Sequence, residues 1–127
     1  MERYAGIVIK MKIKIIVTVM AISLLLVLSG CGPSLDEFAK CVTKSGMSLY
    51  GTYWCPHCQN MKKSFGNSLK YINYIECDDK HPKGNAEKCR QDGIEGYPTF
   101  IFGDGMRLSG EMSLELIADK TKCKLPK

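Results

Sequence analysis

Two cysteines, Cys55 and Cys58, stand two residues apart in the segment WCPHC, with Pro56 and His57 between them and a helix-forming run behind. A pair at this spacing can clamp a metal, form a structural bridge, or exchange disulfides with other proteins. The outcome depends on what holds it. If a strand runs into the pair and a helix leaves it, the Cys55 sulfur sits at the helix N-terminus. Unpaired backbone N–H groups and the positive end of the helix dipole there stabilise a thiolate, the species that attacks and leaves in disulfide exchange. Cys58, one turn further in and less exposed, is then placed to resolve a mixed disulfide formed at Cys55. His57 can add a positive charge or a hydrogen bond toward the Cys55 sulfur, which stabilises the reduced state and makes the disulfide more oxidising. Trp54 stands directly before Cys55, where an aromatic residue can cover the pair or simply pack at the strand end.

The pattern along the chain supplies these elements. LDEFAKCVTKSG has apolar Leu35, Phe38, Ala39 and Val42 at helical spacing, Asp36 and Glu37 in the first turn, and Gly46 as a stop. MSLYGTY reads as a short strand leading to the pair. Pro56 suits the first position of a helix that runs through Met61, Lys62 and Phe65 to Gly66 or Asn67. KYINYIEC, residues Lys70 to Cys77, is rich in aromatic and β-branched residues and predicts a second strand. DDKHPKGN is a loop, and AEKCRQDG a short helix ended by Gly93. PTFIFGDGMRLSG predicts a hairpin turning at Asp104-Gly105, and SLELIADKTKC a final amphipathic helix capped by Ser113. The expected order is α, β, α, β, α, β, β, α.

The first thirty residues read as an address. Lys10, Lys12 and Lys14 precede the uncharged, apolar stretch Ile15 to Leu28, which is short for a bilayer crossing. LSGC, Leu28 to Cys31, has the form of a lipobox, in which small residues precede a cysteine that carries a lipid. The expectation is a signal peptide or membrane anchor over residues 1–30, lipidation at Cys31, a linker over residues 31–34, a domain over residues 35–124 and a tail over residues 125–127. Either reading places the domain outside the cytoplasm, tethered to the membrane. Lipidation of Cys31 would take one of the seven cysteines and leave an even six, at home where disulfides persist. The net charge of +5 comes mostly from the leader, so the nearly balanced domain gives no reason to expect nucleic acid.

WCPHC after a strand, followed some forty residues later by IEGYPT, resembles the thioredoxin-like pattern, with Pro-His as the dipeptide of bacterial periplasmic dithiol oxidases. More closely, the run from Phe38 to Asp78 together with GIEGYPTFIF is similar to the thioredoxin-like domains fused to, or encoded beside, bacterial and plant homologues of vitamin K epoxide reductase. The resemblance implies an α/β domain with a truncated thioredoxin-like fold that lacks the first strand, its four-stranded mixed sheet flanked by helices. It implies catalysis by Cys55 and Cys58 as a redox-active disulfide with His57 as tuner, and a site framed by Trp54, Pro56, Tyr97, Pro98 and Thr99, with a cis Tyr97-Pro98 peptide. It implies a structural disulfide between Cys77 and Cys89, whose spacing is compatible, with a redox relay from that pair as the alternative. Exported proteins are the implied substrates, a membrane oxidase of the vitamin K epoxide reductase type the implied partner, and a monomer the implied state.

The chain departs from the thioredoxin pattern where a buried acid is usual, six residues before the first active-site cysteine: Leu49 stands there. Another acid, such as Glu76, or water would then handle the Cys58 proton. Cys41 and Cys123 stay open between a bridge and two buried thiols, because in the thioredoxin arrangement the first and last helices lie on opposite faces of the sheet. A bridge would need Cys123 to lie beyond its helix and turn back.

Other classes fit less well. Zinc on Cys55, Cys58, Cys77 and Cys89 would use a second pair separated by eleven residues, not the usual close spacing, so no metal is expected. A c-type haem would need a histidine where Gln59 stands. A non-catalytic, disulfide-stapled lipoprotein leaves Pro56-His57 and the Tyr97-Pro98-Thr99 segment unexplained. The sequence therefore points to a cofactor-independent disulfide oxidoreductase acting on exported proteins, with a membrane-fed reductase or isomerase as the other direction. His81 reads as a solvated loop residue, and Tyr71, Tyr74 and Phe100 to Phe102 as strand core.

Overall fold

A computed structural model describes residues 2–27 and 34–127. The chain divides into two compact units, Met1–Gly32 and Pro33–Lys127. The first contains one helix, α1 (Glu2–Val27), whose residues from Gly6 to Met20 are exposed. No helix among the described residues is long and apolar enough to cross a membrane. The lipobox Leu28 to Cys31, the lipidation expected at Cys31 and the linker before Ser34 lie outside the described residues.

The second unit follows the expected order: α2 (Asp36–Lys44), β1 (Ser48–Gly51), α3 (Pro56–Phe65), β2 (Tyr74–Glu76), α4 (Ala86–Gln91), β3 (Thr99–Ile101), β4 (Arg107–Ser109) and α5 (Leu114–Thr121). The strands form one mixed sheet in the order β2-β1-β3-β4, with β1 parallel to β2 and antiparallel to β3. This is a thioredoxin-like sheet.

Alternation along the strands sends side chains to two cores. Leu49, Phe100 and Phe102 meet Phe38, Ala39 and Val42 of α2, Met61 and Phe65 of α3 and Ile117 of α5 on one face. Tyr50, Ile75, Cys77 and Cys89 gather on the other, with Ile94, Tyr97 and Ile101 packed against them. Fully burying a side chain such as Phe38, Phe65 or Phe100 stabilises the fold by about 1.5–3 kcal/mol.

Two expectations are corrected. The strand predicted over residues 70–77 is confined to Tyr74–Glu76, and Gly66–Tyr71 forms a 3-10 turn. Thr43 is the reason: its hydroxyl donates to the Tyr71 carbonyl and accepts from the Asn73 amide, holding this backbone in a turn against α2. Residues Tyr71 and Ile72 pack inward from that turn despite their strand propensity. The first and last helices, expected on opposite faces, instead share one face and one core. Cys123 lies past the end of α5, where Lys122 takes a left-handed conformation (φ 58°) and turns the chain back. Cys41 and Cys123 are accordingly joined, with Cα atoms 5.8 Å apart, and Cys41 is exposed rather than a buried thiol.

Candidate active site

β1 ends at Gly51, the chain turns through Thr52 to Trp54, and α3 starts at Pro56, so Cys55 is the N-cap residue of α3. Its φ/ψ of −75°/120° is extended, as at an N-cap, while the carbonyl already accepts from the Gln59 amide. No side chain caps this end, which leaves its first amides open to the Cys55 sulfur. Pro56 has no N–H to waste at the first helical position. Cys58, Met61 and Phe65 form the inward stripe of the helix.

Cys55 and Cys58 are both thiols, 6 % and 1 % exposed. The Cys55 thiol donates to the Tyr97 carbonyl, Sγ to O 3.8 Å. Burial pushes the Cys58 thiol up to about 12, against the pull of the Thr52 backbone, and the neighbouring Cys55 sulfur adds to the rise. The two sulfurs are therefore unequal: one lies at a helix N-terminus, the other is held protonated behind it. The arrangement suits Cys55 to make and break bonds with another molecule and Cys58 to act within the protein.

Tyr97-Pro98 is cis, and Pro98 is fully buried. The Pro98 carbonyl accepts from the Gly110 amide at 2.8 Å, and the Thr99 hydroxyl reaches the Gly96 carbonyl and the Ser109 hydroxyl. Trp54 is 57 % exposed, stands edge-on to the Tyr97 ring, and donates its indole N–H to Asp78 at 2.7 Å. His57 makes its hydrogen bond with Glu111 rather than with a sulfur, 2.5 Å from Nδ1 to Oε1. Asn60, one turn along α3, donates to the same oxygen. These two partners hold the Glu111 carboxyl below its ordinary range.

Cys77 and Cys89 form a disulfide on the other face of the sheet, which removes two of the four sulfurs a zinc site would need. Among the described residues no cluster of three or more His, Cys, Asp or Glu could hold a metal ion. His81 is half-buried, its ring 5.6 Å from that of Tyr53.

Sequence reasoning did not single out Glu111, Asn60 or Asp78. Glu111 lies 54 residues from His57 and Asp78 lies 24 from Trp54, and no local pattern marks either contact. The one available signal for Glu111 was its place beside Gly110, two residues past the end of β4, the strand that pairs with Thr99.

No family model matches the chain. It is 38% identical over 97 residues to the thiol-disulfide oxidoreductase LTO1 of Arabidopsis thaliana, across 73% of this chain and 26% of that protein. It is 30% identical over 74 residues to mycoredoxin 1 of Corynebacterium glutamicum, across 58% of this chain and 91% of the relative. It is 31% identical over 83 residues to thioredoxin 3 of Plasmodium falciparum, across 63% of this chain and 44% of the relative. The chain thus spans about a quarter of LTO1 and nearly all of mycoredoxin 1.

Proposed function

Because the chain belongs to the thioredoxin-like thiol-disulfide oxidoreductases, we propose that it introduces disulfides into exported proteins from a position outside the cytoplasm, tethered to the membrane by its N-terminal segment. The observation that carries the chemistry is the inequality of Cys55, at the uncapped start of α3, and Cys58, buried behind it. A substrate thiolate attacks Cys55 of the Cys55–Cys58 disulfide and expels the Cys58 thiolate. A second substrate thiolate then attacks the substrate sulfur of the mixed disulfide, expelling Cys55 and leaving the substrate oxidised. Trp54 and Tyr97 offer an aromatic rim for an extended peptide, and the Tyr97 carbonyl beside Cys55 offers it a main-chain acceptor. His57 lies in the first turn of α3 and is fixed there by Glu111.

The location is supported by the two other disulfides, Cys41–Cys123 and Cys77–Cys89, since such bridges persist in oxidising compartments. Tethering rests on the basic, then apolar leader and on Cys31 as the lipid acceptor. The likeness to domains associated with vitamin K epoxide reductase homologues supports a membrane oxidase of that type as partner, taking electrons from Cys55 and Cys58 to its quinone. No cofactor of the chain's own enters the cycle.

The test of direction is the reduction potential of the Cys55–Cys58 pair, equilibrated against graded glutathione buffers. A value near the oxidising end of the family, about −120 mV, is expected; a value near about −270 mV would make the protein a reductant or isomerase. Tethering is tested by mass spectrometry of the mature N-terminus, where a diacylglyceryl group on Cys31 is expected and an unmodified Cys31 would contradict it.

A further inference from the structure

The first turn of α3 has a closed side and an open one. On the closed side the Cys58 sulfur and the Tyr74 hydroxyl meet at Gly51, 2.7 and 3.1 Å from where a Cβ on that residue would begin. On the open side the His57 side chain is 67 % exposed, so packing leaves its ring free to turn. What fixes the ring is a single contact, Nδ1 to Glu111 Oε1 at 2.5 Å. An ionised carboxylate only accepts, so Nδ1 carries the hydrogen, and that hydrogen is committed to Glu111 instead of to a thiolate at Cys55.

Glu111 is itself held in place. It follows Gly110, whose positive φ of 97° turns the chain after β4. On one side of it the Gly110 amide donates to the Pro98 carbonyl at 2.8 Å, on the cis-proline edge of the site. On the other side the Met112 amide donates to Met61 Sδ at 3.4 Å, on the inward stripe of α3. Asn60 supplies Oε1 with a second donor at 2.9 Å, and its bond and that of His57 both favour the ionised carboxylate. A negative charge of fixed position therefore sits on the imidazole two residues from Cys55.

We propose that Glu111 is a positioning residue for the exchange reaction: by holding His57 off the Cys55 sulfur and placing a carboxylate on that ring, it makes the Cys55–Cys58 disulfide less oxidising than the same motif with an unrestrained histidine. This rests on the thiol-disulfide exchange assigned above. The sign is independent of the charge on the ring. With Glu111, ring and carboxylate together carry between one negative charge and none; without it, the ring alone carries between none and one positive charge. Losing the carboxylate thus makes the surroundings of Cys55 more positive in either case, and it releases the Nδ1 hydrogen for the sulfur two residues back. Both changes favour a thiolate, which only the reduced protein has. Stabilising the reduced form makes the disulfide a stronger oxidant.

The test is a redox equilibrium of the full-length protein at pH 7 in graded mixtures of glutathione and its disulfide. Two glutathione thiols reduce the Cys55–Cys58 disulfide to the dithiol and leave as one glutathione disulfide, and acid quenching, alkylation and mass spectrometry of the peptide with both cysteines give the equilibrium constant. In Glu111→Gln, which keeps the shape and an acceptor for Asn60 but loses the charge, the constant should move about tenfold toward the dithiol, equivalent to about 30 mV. In a His57→Ala background the same substitution should move it less than about threefold, because the ring through which Glu111 acts is gone. Both side chains are exposed, so these substitutions leave the core intact. A Glu111 that merely ties its segment to α3 would lower the Tm and leave the constant where it was. A shift below about threefold in Glu111→Gln, a shift toward the disulfide, or one of about threefold or more without His57 overturns the proposal. A wild-type Cys55–Cys58 pair that does not equilibrate with glutathione at all overturns the exchange chemistry and this role with it, an outcome distinct from the others.

Discussion

Cys77 closes β2 and Cys89 lies within α4, while Cys55 ends the turn after β1 and Cys58 lies in the first turn of α3. Both pairs span a strand-to-helix connection, and burial does not tell them apart: Cys55 is 6 % exposed, Cys77 5 % and Cys89 3 %. The difference lies in what each sulfur faces. The start of α4 is already capped, since the Asn85 side chain accepts from the Lys88 amide, and Cys89 sits four residues beyond that cap among apolar neighbours. The start of α3 has no side-chain cap, and Cys55 is its N-cap residue. A buried cysteine becomes reactive by standing where a negative charge is already provided for, and inert where it is not.

The sharpest way to break this contrast is by deletion. Cys55→Ser should reduce disulfide exchange to the uncatalysed background in an insulin-reduction or substrate-oxidation assay, whereas the Cys77→Ala/Cys89→Ala pair should retain the Cys55 reaction. Loss of exchange in the latter would make the second pair a relay. The bridges should instead appear in stability. Closing a loop with a sequence separation of 82, as Cys41–Cys123 does, is expected to contribute about 4 kcal/mol, and the separation of 12 at Cys77–Cys89 about 3 kcal/mol. Urea unfolding of each double alanine variant measures both values and their order.

A smaller effect separates the redox states by pH. In the reduced protein the folded Cys58 thiol ionises near 12, against an ordinary value of 9.0, so above pH 9 the unfolded chain has lost a proton that the folded chain still holds. Stability then falls as pH rises. Between pH 8 and 10 the reduced form should lose on the order of 1 kcal/mol more than the oxidised form, in which Cys58 does not titrate. Parallel denaturant curves of the two forms check this. The smallest effect concerns the link between the regions, the hydrogen bond from Trp54, beside Cys55, to Asp78, beside Cys77. Trp54→Phe should lower stability by at most about 1 kcal/mol in thermal melts and leave the Cys77–Cys89 bridge as resistant to reduction as before.

Much of the frame was legible because its signals are local. Pro56 behind Cys55 marks the start of α3, Ser113 caps α5 by accepting from the Leu116 amide, and the alternation around Leu49 and Phe100 marks sheet residues with two faces. The rest depends on partners far along the chain. The strand propensity of Tyr71 and Ile72 yields to a threonine nearly thirty residues earlier. The Cys41–Cys123 bridge depends on a left-handed Lys122, a residue type that does not announce that conformation. Within the site, the Cys-Pro-His-Cys motif was visible, while the bond of His57 to Glu111 and the gathering of Tyr74 and Cys58 at Gly51 required the packed structure.

The central claim is the inequality of four buried sulfurs, and alkylation tests it most directly. The full-length protein is treated with mild reductant, then with iodoacetamide at pH 7, and its cysteine peptides are followed by mass spectrometry over time. The account predicts that the label appears on Cys55 first, that Cys58 is labelled far more slowly, and that Cys77 and Cys89 remain joined and unlabelled. Labelling of Cys58 as fast as Cys55, or opening of Cys77–Cys89 under the same conditions, would contradict it.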